Sequence, residues 1–314
     1  MSAYEKGLRE VGDGLYAYLQ PDGGWGWSNA GLVVDGEATL LLDTLFDLRL
    51  TEEMLATMRA AVPAAEQIGT VVNTHANGDH CYGNQLLRGA RIVASERAAA
   101  EMQELPATAM AALVAQAPDM GQLGEFFLRC FGAFHFEGIE TVLPDHTFAG
   151  ELELAVGDRE VRLIELGPAH TRGDTVALVP SQRVLFTGDI LFHGAHPIAW
   201  AGPVSHWIAA CDRILGMDVE VIVPGHGPIA TKAAVGELKA YFEYLYDHAR
   251  RCHGEGMSPL QAARAARDDR WADWGEPERL VVNLANIYSE LAPELDPLDP
   301  LAAFQQMAAL AGGE

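Results

Sequence analysis

Four side chains that can bind a metal ion lie within six residues, in the segment His-Ala-Asn-Gly-Asp-His. They are His75, Asn77, Asp79 and His80, and they closely follow the apolar run at residues 68–72. A turn at the end of a buried strand can direct several side chains toward one point, held by a rigid scaffold. This spacing therefore predicts a metal site in the loop.

Three further candidate ligands come later in the chain, each in a glycine-containing loop after an apolar run. His170 lies in Gly-Pro-Ala-His-Thr-Arg-Gly-Asp, Asp189 in Phe-Thr-Gly-Asp and His226 in Pro-Gly-His-Gly. Histidine and carboxylate ligands without cysteine suit zinc, iron or manganese with an open position for water. A divalent ion lowers the pKa of that water to about 7, which provides a metal-bound hydroxide as nucleophile. Asp79 and Asp189 are the expected catalytic residues, because either can orient the water or relay its proton.

The order of these groups resembles the metallo-β-lactamase-like hydrolases, whose first motif reads His-x-His-x-Asp-His and whose later ligands are His, a bridging Asp and His. The agreement covers roughly residues 12–230. By this resemblance, one metal site is formed by His75, Asn77 and His170, the other by Asp79, His80 and His226, and Asp189 bridges them. The resemblance implies a four-layer αββα sandwich that binds one or two divalent metal ions. Zinc is the expected metal, with manganese or iron as alternatives.

Asn77 departs from the family pattern, because it stands where the family usually has its second histidine. An amide oxygen is a weaker and neutral ligand for zinc than imidazole. Three alternatives are therefore open for the site with Asn77. It is weakly occupied, it binds a harder ion such as manganese or iron, or it is absent and the enzyme has one metal. The alternative role of Asn77 is that of a turn former ahead of Gly78 and Asp79.

The arrangement of apolar and turn-forming residues predicts a layered α/β fold. Short apolar runs bounded by glycine and aspartate predict strands near the start of the chain, and strand patterns return at residues 152–223. The segment at about 95–137 predicts a helical insertion, and the chain after Pro228 is helical in pattern. We therefore predict a metallo-β-lactamase-like catalytic domain at 1–232, with a C-terminal helical extension at 233–314 packed on it.

Five further side chains are candidates for substrate binding, namely Tyr82, Phe127, His193, His196 and Trp200. Tyr82 follows the first motif and can donate a hydrogen bond to a developing oxyanion. His193 and His196 come shortly after the Thr-Gly-Asp turn. Phe127 belongs to the helical insertion, whose apolar side chains either line a pocket or pack in the core. For each of the five, an ordinary structural role is the alternative.

The formal net charge of -23 at pH 7 comes from 44 Asp and Glu against 21 Lys and Arg. Such a field repels phosphate backbones and anionic lipids, so we expect neither nucleic acid nor membrane as a partner. The four cysteines are widely separated, which disfavours a disulfide framework. No run of about 18 apolar residues and no signal-like N-terminus occurs, which predicts a cytoplasmic protein. A homodimer is left open.

The expected function is a metal-dependent hydrolase whose metal-bound hydroxide attacks a thioester or related acyl bond in a small-molecule or carrier-bound substrate. The Ala-rich composition and the His-Ala-Asn-Gly-Asp-His variant are similar to metallo-β-lactamase-type cyclases and thioesterases of bacterial aromatic polyketide pathways. Two alternatives remain, another ester or lactone hydrolase of the same fold and an iron-dependent oxidoreductase.

Overall fold

Two β-sheets form the centre of the molecule in the computed structural model, which describes residues 4–104, 106–266, 269–295 and 297–312. The strands of the first sheet are β1 Gly7–Gly12, β2 Leu15–Leu19, β3 Ala30–Asp35, β4 Ala38–Leu42, β5 Thr70–Val72, β6 Arg91–Ser95 and β7 His146–Phe148. They lie side by side in chain order. Neighbours from β1 to β4 are antiparallel, whereas β4 to β7 pair in parallel.

The second sheet follows in the chain and has a different order. Its strands are β8 Glu151–Val156, β9 Arg159–Glu165, β10 Thr175–Val179, β11 Val184–Phe192 and β12 Val221–His226. They lie in the order β12, β11, β10, β9, β8. β11 and β12 are parallel and the other neighbours are antiparallel, so β11 and β12 end at the same edge of the sheet.

A core of apolar side chains joins the two sheets. Leu15 and Leu40 of the first sheet belong to the same buried cluster as Val161, Leu163 and Phe186 of the second. In β9 the buried Val161 and Leu163 alternate with more exposed charged neighbours, as expected for a strand with one face in the core. The packing of these inner faces fixes the position of one sheet against the other.

Helices cover the outer faces of the sheets. They are α1 Leu48–Ala61, α2 Gly78–Cys81, α3 Glu96–Glu101, α4 Ala107–Gln116, α5 Gly121–Phe131, α6 Val204–Gly216, α7 Lys232–Gly254, α8 Pro259–Ala265, α9 Leu280–Leu291 and α10 Pro300–Ala311. α1 packs on the first sheet, with Leu50, Met54 and Met58 on its buried side, and α6 and α7 pack on β11. The predicted α/β sandwich with helical additions is therefore confirmed.

The helices of the insertion and of the C-terminal segment contact each other. α5 packs against α10, where the ring of Phe304 lies 5.7 Å from that of Phe127 and 6.0 Å from that of Phe131. α7 begins after its N-cap Thr231 and packs along α6. The C-terminal helices thus rest on the part predicted as the catalytic domain. The outermost residues of the two predicted domains, 1–3 and 313–314, lie outside the described residues.

Two expectations from composition can be compared with the structure. Among the helices in the described ranges, none has both the length and the apolar character needed to cross a lipid bilayer. Cys81, Cys130, Cys211 and Cys252 are all buried, and none of them forms a disulfide.

Candidate metal centre

Four separate stretches of chain bring the predicted ligands together. The loop after β5 and the short helix α2 carry the first motif, and the β9–β10 loop carries His170. Asp189 lies within β11, and His226 ends the parallel neighbour β12, opposite Phe192. The histidine and aspartate ligands are all at most 8% exposed. The structure therefore collects these predicted side chains in one buried cluster.

Asp189 lies at the centre of this cluster. The distances from its carboxylate oxygens are 3.1 Å to His80 Nε2, 3.2 Å to His170 Nε2, 3.4 Å to His226 Nε2 and 3.6 Å to His75 Nε2. Each imidazole approaches through the same ring nitrogen. A carboxylate surrounded by four imidazoles in this way would be available to any cation that these side chains hold.

Two sets of three side chains have ligand atoms within 4.8 Å of one another. One set consists of Asp79, His80 and His226, the trio that the resemblance assigns to one of the two sites. The other consists of His75, His80 and Asp189. The second set shares His75 with the other predicted trio. The remaining members of that trio are adjacent to it, since His170 Nε2 lies 3.2 Å from Asp189 Oδ2 and 2.9 Å from Asn77 Nδ2.

The Nδ1 atoms of the clustered histidines all face away from Asp189. Their partners are Thr74 Oγ1 for His75 at 3.0 Å, Asp43 Oδ2 for His80 at 2.9 Å, Ile198 O for His170 at 2.6 Å and Gly23 O for His226 at 3.0 Å. A partner that accepts the Nδ1 proton leaves Nε2 unprotonated, and it also fixes the plane of the ring. This is the way in which metal-binding histidines are usually oriented.

The central atoms of the cluster fit a divalent ion better than they fit one another. His75 Nε2, His80 Nε2 and Asp189 Oδ1 are buried and have no hydrogen-bond partner among the described residues. Although His80 Nε2 and Asp189 Oδ1 are close, the two groups are not aligned for a hydrogen bond. Since buried polar atoms are normally bonded, these three atoms mark the position where a cation would be held.

The electrostatics of the cluster also favour a cation. Burial raises the pKa of Asp189, but the four surrounding histidines outweigh it and hold the pKa well below its usual range. For His226, burial lowers the pKa, and the carboxylates of Asp189 and Asp79 reverse this and raise it to about 9. A buried site that stabilises a proton on imidazole through two carboxylates can exchange that proton for a metal ion.

Asn77 lies beside His170, with Asn77 Nδ2 2.9 Å from His170 Nε2. Because His170 Nδ1 donates to Ile198 O, its Nε2 accepts a hydrogen bond from the Asn77 amide in this arrangement. Asn77 stands at the N-cap of α2, but its side chain makes no capping hydrogen bond there. A half-turn of the amide would direct the oxygen of Asn77 toward the same point as a ligand.

A cavity of about 660 Å³ opens onto the cluster. Asn77, Asp79, His170, Asp189 and His226 lie at one end of it. The wall is mainly apolar and comes from α4, α5 and α10, through Met110, Leu113, Leu123, Phe127, Phe131 and Phe304. The volume is within the range of about 300–1,000 Å³ that is typical of small-molecule sites.

The candidate substrate contacts divide into two groups. Tyr82, Phe127 and Trp200 line the cavity. His193 and His196 are not among the described residues that line it, which differs from the expectation for these two. Nδ1 of His193 is 2.9 Å from a backbone carbonyl, that of Pro228, and Nδ1 of His196 is 2.9 Å from the Tyr241 hydroxyl. Both imidazoles are thus engaged within the protein, His193 with the loop after β12 and His196 with α7.

Sequence reasoning missed two residues near the cluster. Asp43 directly follows the apolar strand β4 and hydrogen-bonds His80, and an aspartate in that position was an available signal. Arg279 lines the cavity from the segment just before α9. No local spacing pointed to Arg279, because only the tertiary packing of the C-terminal helices brings it to the cluster.

A sequence model of the metallo-beta-lactamase superfamily matches residues 23–226, which include every residue of the cluster. The chain belongs to this superfamily. The match begins in the loop after β2 and ends at the last residue of β12. The predicted family assignment is therefore confirmed, and α7 to α10 lie beyond the matched region.

Three known proteins with different names are similar to parts of the chain. A 2,4-dinitroanisole O-demethylase subunit alpha from Nocardioides sp. (strain JS1661) is 35% identical over 130 residues, 40% of this chain and 37% of that protein. A linear primary-alkylsulfatase from Pseudomonas sp. (strain ATCC 19151) is 24% identical over 141 residues, 41% of this chain and 26% of that protein. An acyl-coenzyme A thioesterase from Gallus gallus is 24% identical over 211 residues, which are 63% of this chain and 72% of that protein. The chain thus spans well under half the length of the first two.

Solved structures share the fold at low sequence identity. A metallo-beta-lactamase from Pontibacter korlensis has a TM-score of 0.56 and 19% identity, covering 76% of this chain and 99% of its own. The TMB-1 structure has a TM-score of 0.55 and 20% identity with the same coverage. Similarity at this level establishes the superfamily fold.

Proposed function

We propose that the protein is a metal-dependent hydrolase that cleaves a thioester or related acyl bond in a substrate with a large apolar acyl group. The observation that carries this proposal is the cavity that joins the ligand cluster to the apolar side chains of α4, α5 and α10. The cluster offers polar ligands for a metal and the reacting group. The side chains of α4, α5 and α10 offer an apolar surface on which hydrocarbon can be buried.

The residues of the cluster have different roles in this proposal. Asp79, His80 and His226 would hold one ion with Asp189, and a second ion would bind near His75. When bound, a divalent ion supplies a Lewis acid for the substrate carbonyl and lowers the pKa of water. Asp79 is the most exposed of the histidine and aspartate ligands, with a side chain 12% exposed, and it lines the cavity. Its carboxylate can therefore accept the proton of the attacking water.

The apolar wall supplies binding energy and excludes water from the cluster. Burial of one methylene contributes about 0.8 kcal/mol, which corresponds to about fourfold in affinity. The KM for a homologous series of acyl thioesters should therefore fall as the acyl chain grows. The thioesterase from Gallus gallus supports the choice of thioester, because its match extends over most of its own length.

A finer form of the proposal is a cyclase or thioesterase that acts on a carrier-bound polyketide. The Lewis acid that polarises a thioester carbonyl also stabilises an enolate, so ring closure and release would use the same cluster. The size of the cavity supports a substrate larger than a short acyl chain. Product analysis with a polyketide thioester distinguishes cyclisation from simple hydrolysis.

Two relatives support a second candidate, the cleavage of an aryl ether or an alkyl sulfate. The most similar of the three relatives by identity is the O-demethylase subunit, and the alkylsulfatase matches a comparable length of this chain. The same apolar wall would then bind the aryl or alkyl group. The two candidates differ in the bond that is cleaved and share the cavity.

The direct test is the hydrolysis of acyl-coenzyme A substrates, from acetyl to dodecanoyl, by the protein loaded with zinc, manganese or iron. The release of the free thiol measures the rate. Asp79→Ala and His226→Ala should each lower the rate more than about a hundredfold. His193→Ala is the matched control, because this histidine lies outside the cavity lining. Full activity in either ligand variant contradicts the proposal, as does the absence of turnover with every acyl substrate.

Two further measurements separate the alternatives. Turnover of 2,4-dinitroanisole or dodecyl sulfate without turnover of thioesters would favour the second candidate. Metal analysis of the purified protein addresses the oxidoreductase alternative, since tightly bound iron with a visible absorption band is expected for that class and not for a zinc hydrolase.

A further inference from the structure

Arg279 is a buried cation on the wall of the cavity. It is 2% exposed, and it lines the same cavity as the ligand cluster. Its guanidinium lies 4.1 Å above the ring of Trp25 and 5.4 Å from the ring of Phe192. Phe192 in turn stacks on the imidazole of His226 with a centroid distance of 5.1 Å. One aromatic ring therefore separates Arg279 from a predicted metal ligand.

The hydrogen-bonding capacity of Arg279 is largely unused. Nη1 donates to His196 O at 3.0 Å, which holds the chain after β11. Nε is fully buried and has no hydrogen-bond partner among the described residues. A guanidinium has five N–H donors in a planar fork, and buried donors are normally satisfied. The group therefore has the capacity to bind an acceptor that enters the cavity.

The charge of Arg279 is also without a direct partner in the described part of the chain, where it forms no salt bridge. Glu278 is the adjacent buried carboxylate, but its Oε1 accepts from Trp25 Nε1 at 2.9 Å and lies 4.0 Å from Arg129. Glu276 is also near: burial raises the pKa of its carboxyl and the charge of Arg279 lowers it, but the two groups form no ion pair within 4 Å. A buried cation normally has a paired anion.

Arg172, the other arginine among the described lining residues, differs in this respect. Its Nη2 is 2.6 Å from Glu104 Oε1, and its Nε is 3.5 Å from Glu101 Oε1. Arg172 is therefore already neutralised by two carboxylates, and its side chain is 44% exposed. The comparison makes Arg172 a control within the same cavity.

We propose that Arg279 binds a carboxylate of the substrate, on the cavity wall next to the metal cluster. This proposal adds a substrate contact to the proposed function. The reaction of the bound compound rests on the proposed function, whereas the binding of a carboxylate by Arg279 does not. The planar fork of arginine matches a carboxylate with two parallel hydrogen bonds, and such charge-assisted bonds are the stronger ones. The substrate would then be an apolar acyl compound with an anionic group close to the bond that is cleaved.

The test is calorimetric binding of octanoate and its neutral counterpart octanamide to the purified protein, before and after treatment with EDTA. The treated sample removes any contribution of bound metal to carboxylate binding, and circular dichroism checks its fold. Wild type should bind octanoate about tenfold more tightly than octanamide in both samples. Arg279→Gln should abolish this preference, whereas Arg172→Gln should keep it. Arg279→Lys should retain a reduced preference, because lysine keeps the charge but not the fork.

The outcomes separate this inference from the proposed function. Equal binding of the two ligands by wild type, or an unchanged preference in folded Arg279→Gln, overturns the role of Arg279. If Arg279→Gln does not fold, two other measurements decide the role of Arg279. They are the affinities of wild type for octanoate and octanamide, and the preference between the two ligands in Arg279→Lys. A preference for octanoate that depends on Arg279, found together with a protein that hydrolyses no acyl substrate, would support the anion site and contradict the hydrolase.

Discussion

Asp43 Oδ2 lies 2.9 Å from Nδ1 of His80, on the side of the imidazole that faces away from the ligand cluster. The same carboxylate accepts hydrogen bonds from Thr74 N and Thr74 Oγ1, both at 2.7 Å. Thr74 Oγ1 is 3.0 Å from Nδ1 of His75. One buried aspartate thus orients two predicted ligands, one directly and one through a threonine. Asp43 has a φ of 64°, a backbone conformation that is uncommon for residues other than glycine and that often occurs at functional sites.

We expect Asp43→Asn to weaken metal binding. The amide would present an N–H group either to Thr74 or to His80. One of two hydrogen bonds would therefore be lost, either the one that holds His80 directly or the one that holds Thr74 and, through it, His75. Loss of such an orienting partner typically costs about 10- to 100-fold in metal affinity. Competition with a chromogenic chelator for zinc measures the effect.

Asp47→Asn is the matched control for this variant. Asp47 is equally buried and accepts a hydrogen bond from Leu50 N at 2.7 Å, so it caps α1 and belongs to no part of the cluster. The Asp47→Asn substitution should lower thermal stability without changing zinc affinity. Equal affinity in Asp43→Asn and wild type would show that the Asp43–His80 contact does not position a ligand.

Asn77→His should tighten binding of the more weakly held ion. The imidazole would replace an amide that now hydrogen-bonds His170, and it would add a stronger ligand at that end of the cluster. We expect about tenfold tighter zinc binding, or one additional ion per chain, in calorimetric titrations. Asn286→His controls for an added histidine elsewhere on the cavity wall. If stoichiometry and affinity both match wild type, position 77 does not contribute a ligand.

Phe127→Ala should impair long acyl substrates selectively. Phe127 lines the cavity, and the loss of its ring removes an apolar contact of about 1.5–3 kcal/mol. The KM for dodecanoyl-coenzyme A should rise about tenfold or more, whereas the KM for acetyl-coenzyme A should change little. Steady-state kinetics with both substrates measure this difference.

Phe126→Ala provides the comparison, since the neighbouring residue is on the same helix and equally buried at 4% exposure but does not line the cavity. Both variants should lose about 3–5 kcal/mol of stability, so the assays need a temperature at which both are folded. A similar KM ratio for the two substrates in both variants would mean that α5 has only a structural role.

The clustering of the predicted ligands could be anticipated from sequence because each follows an apolar run that becomes a central strand. Asp189 and His226 lie on the adjacent strands β11 and β12, and the first motif follows β5, so local patterns already indicated where these side chains are presented. The family resemblance then assigned these residues to two metal sites. The strands β1, β6 and β7 were not predicted; β1 is only half buried and β7 has three residues.

The contribution of the C-terminal helices could not be predicted. Phe304 and Arg279 reach the cavity only after α10 packs on α5 and the segment before α9 packs beside Trp25. These contacts join residues more than 150 positions apart, and neither helical periodicity nor turn signals carry information about them. The same reason explains why His196 was predicted as a substrate contact but does not line the cavity. The prediction came from its closeness to Asp189 in sequence.

His196 should make the protein less stable in acid. Burial, together with the positive charge of Arg279, lowers the pKa of His196 to about 4, whereas a histidine in the unfolded chain has a pKa of about 6.5. Above pH of about 6.5 the imidazole is neutral in both states, and its contribution to stability is fully present. As the pH falls from about 6.5 toward 4, the unfolded chain binds a proton that the folded protein does not, so stability is lost.

We therefore compare urea unfolding of wild type and His196→Gln at pH 7.5 and pH 5, both in the presence of EDTA so that metal release does not contribute. The glutamine can still hydrogen-bond the Tyr241 hydroxyl. Wild type should lose about 2 kcal/mol more than the variant between the two pH values. His206→Gln, at an exposed histidine, controls for the removal of an imidazole. Parallel losses in wild type and His196→Gln would mean that His196 is protonated in the folded protein as readily as in the unfolded chain.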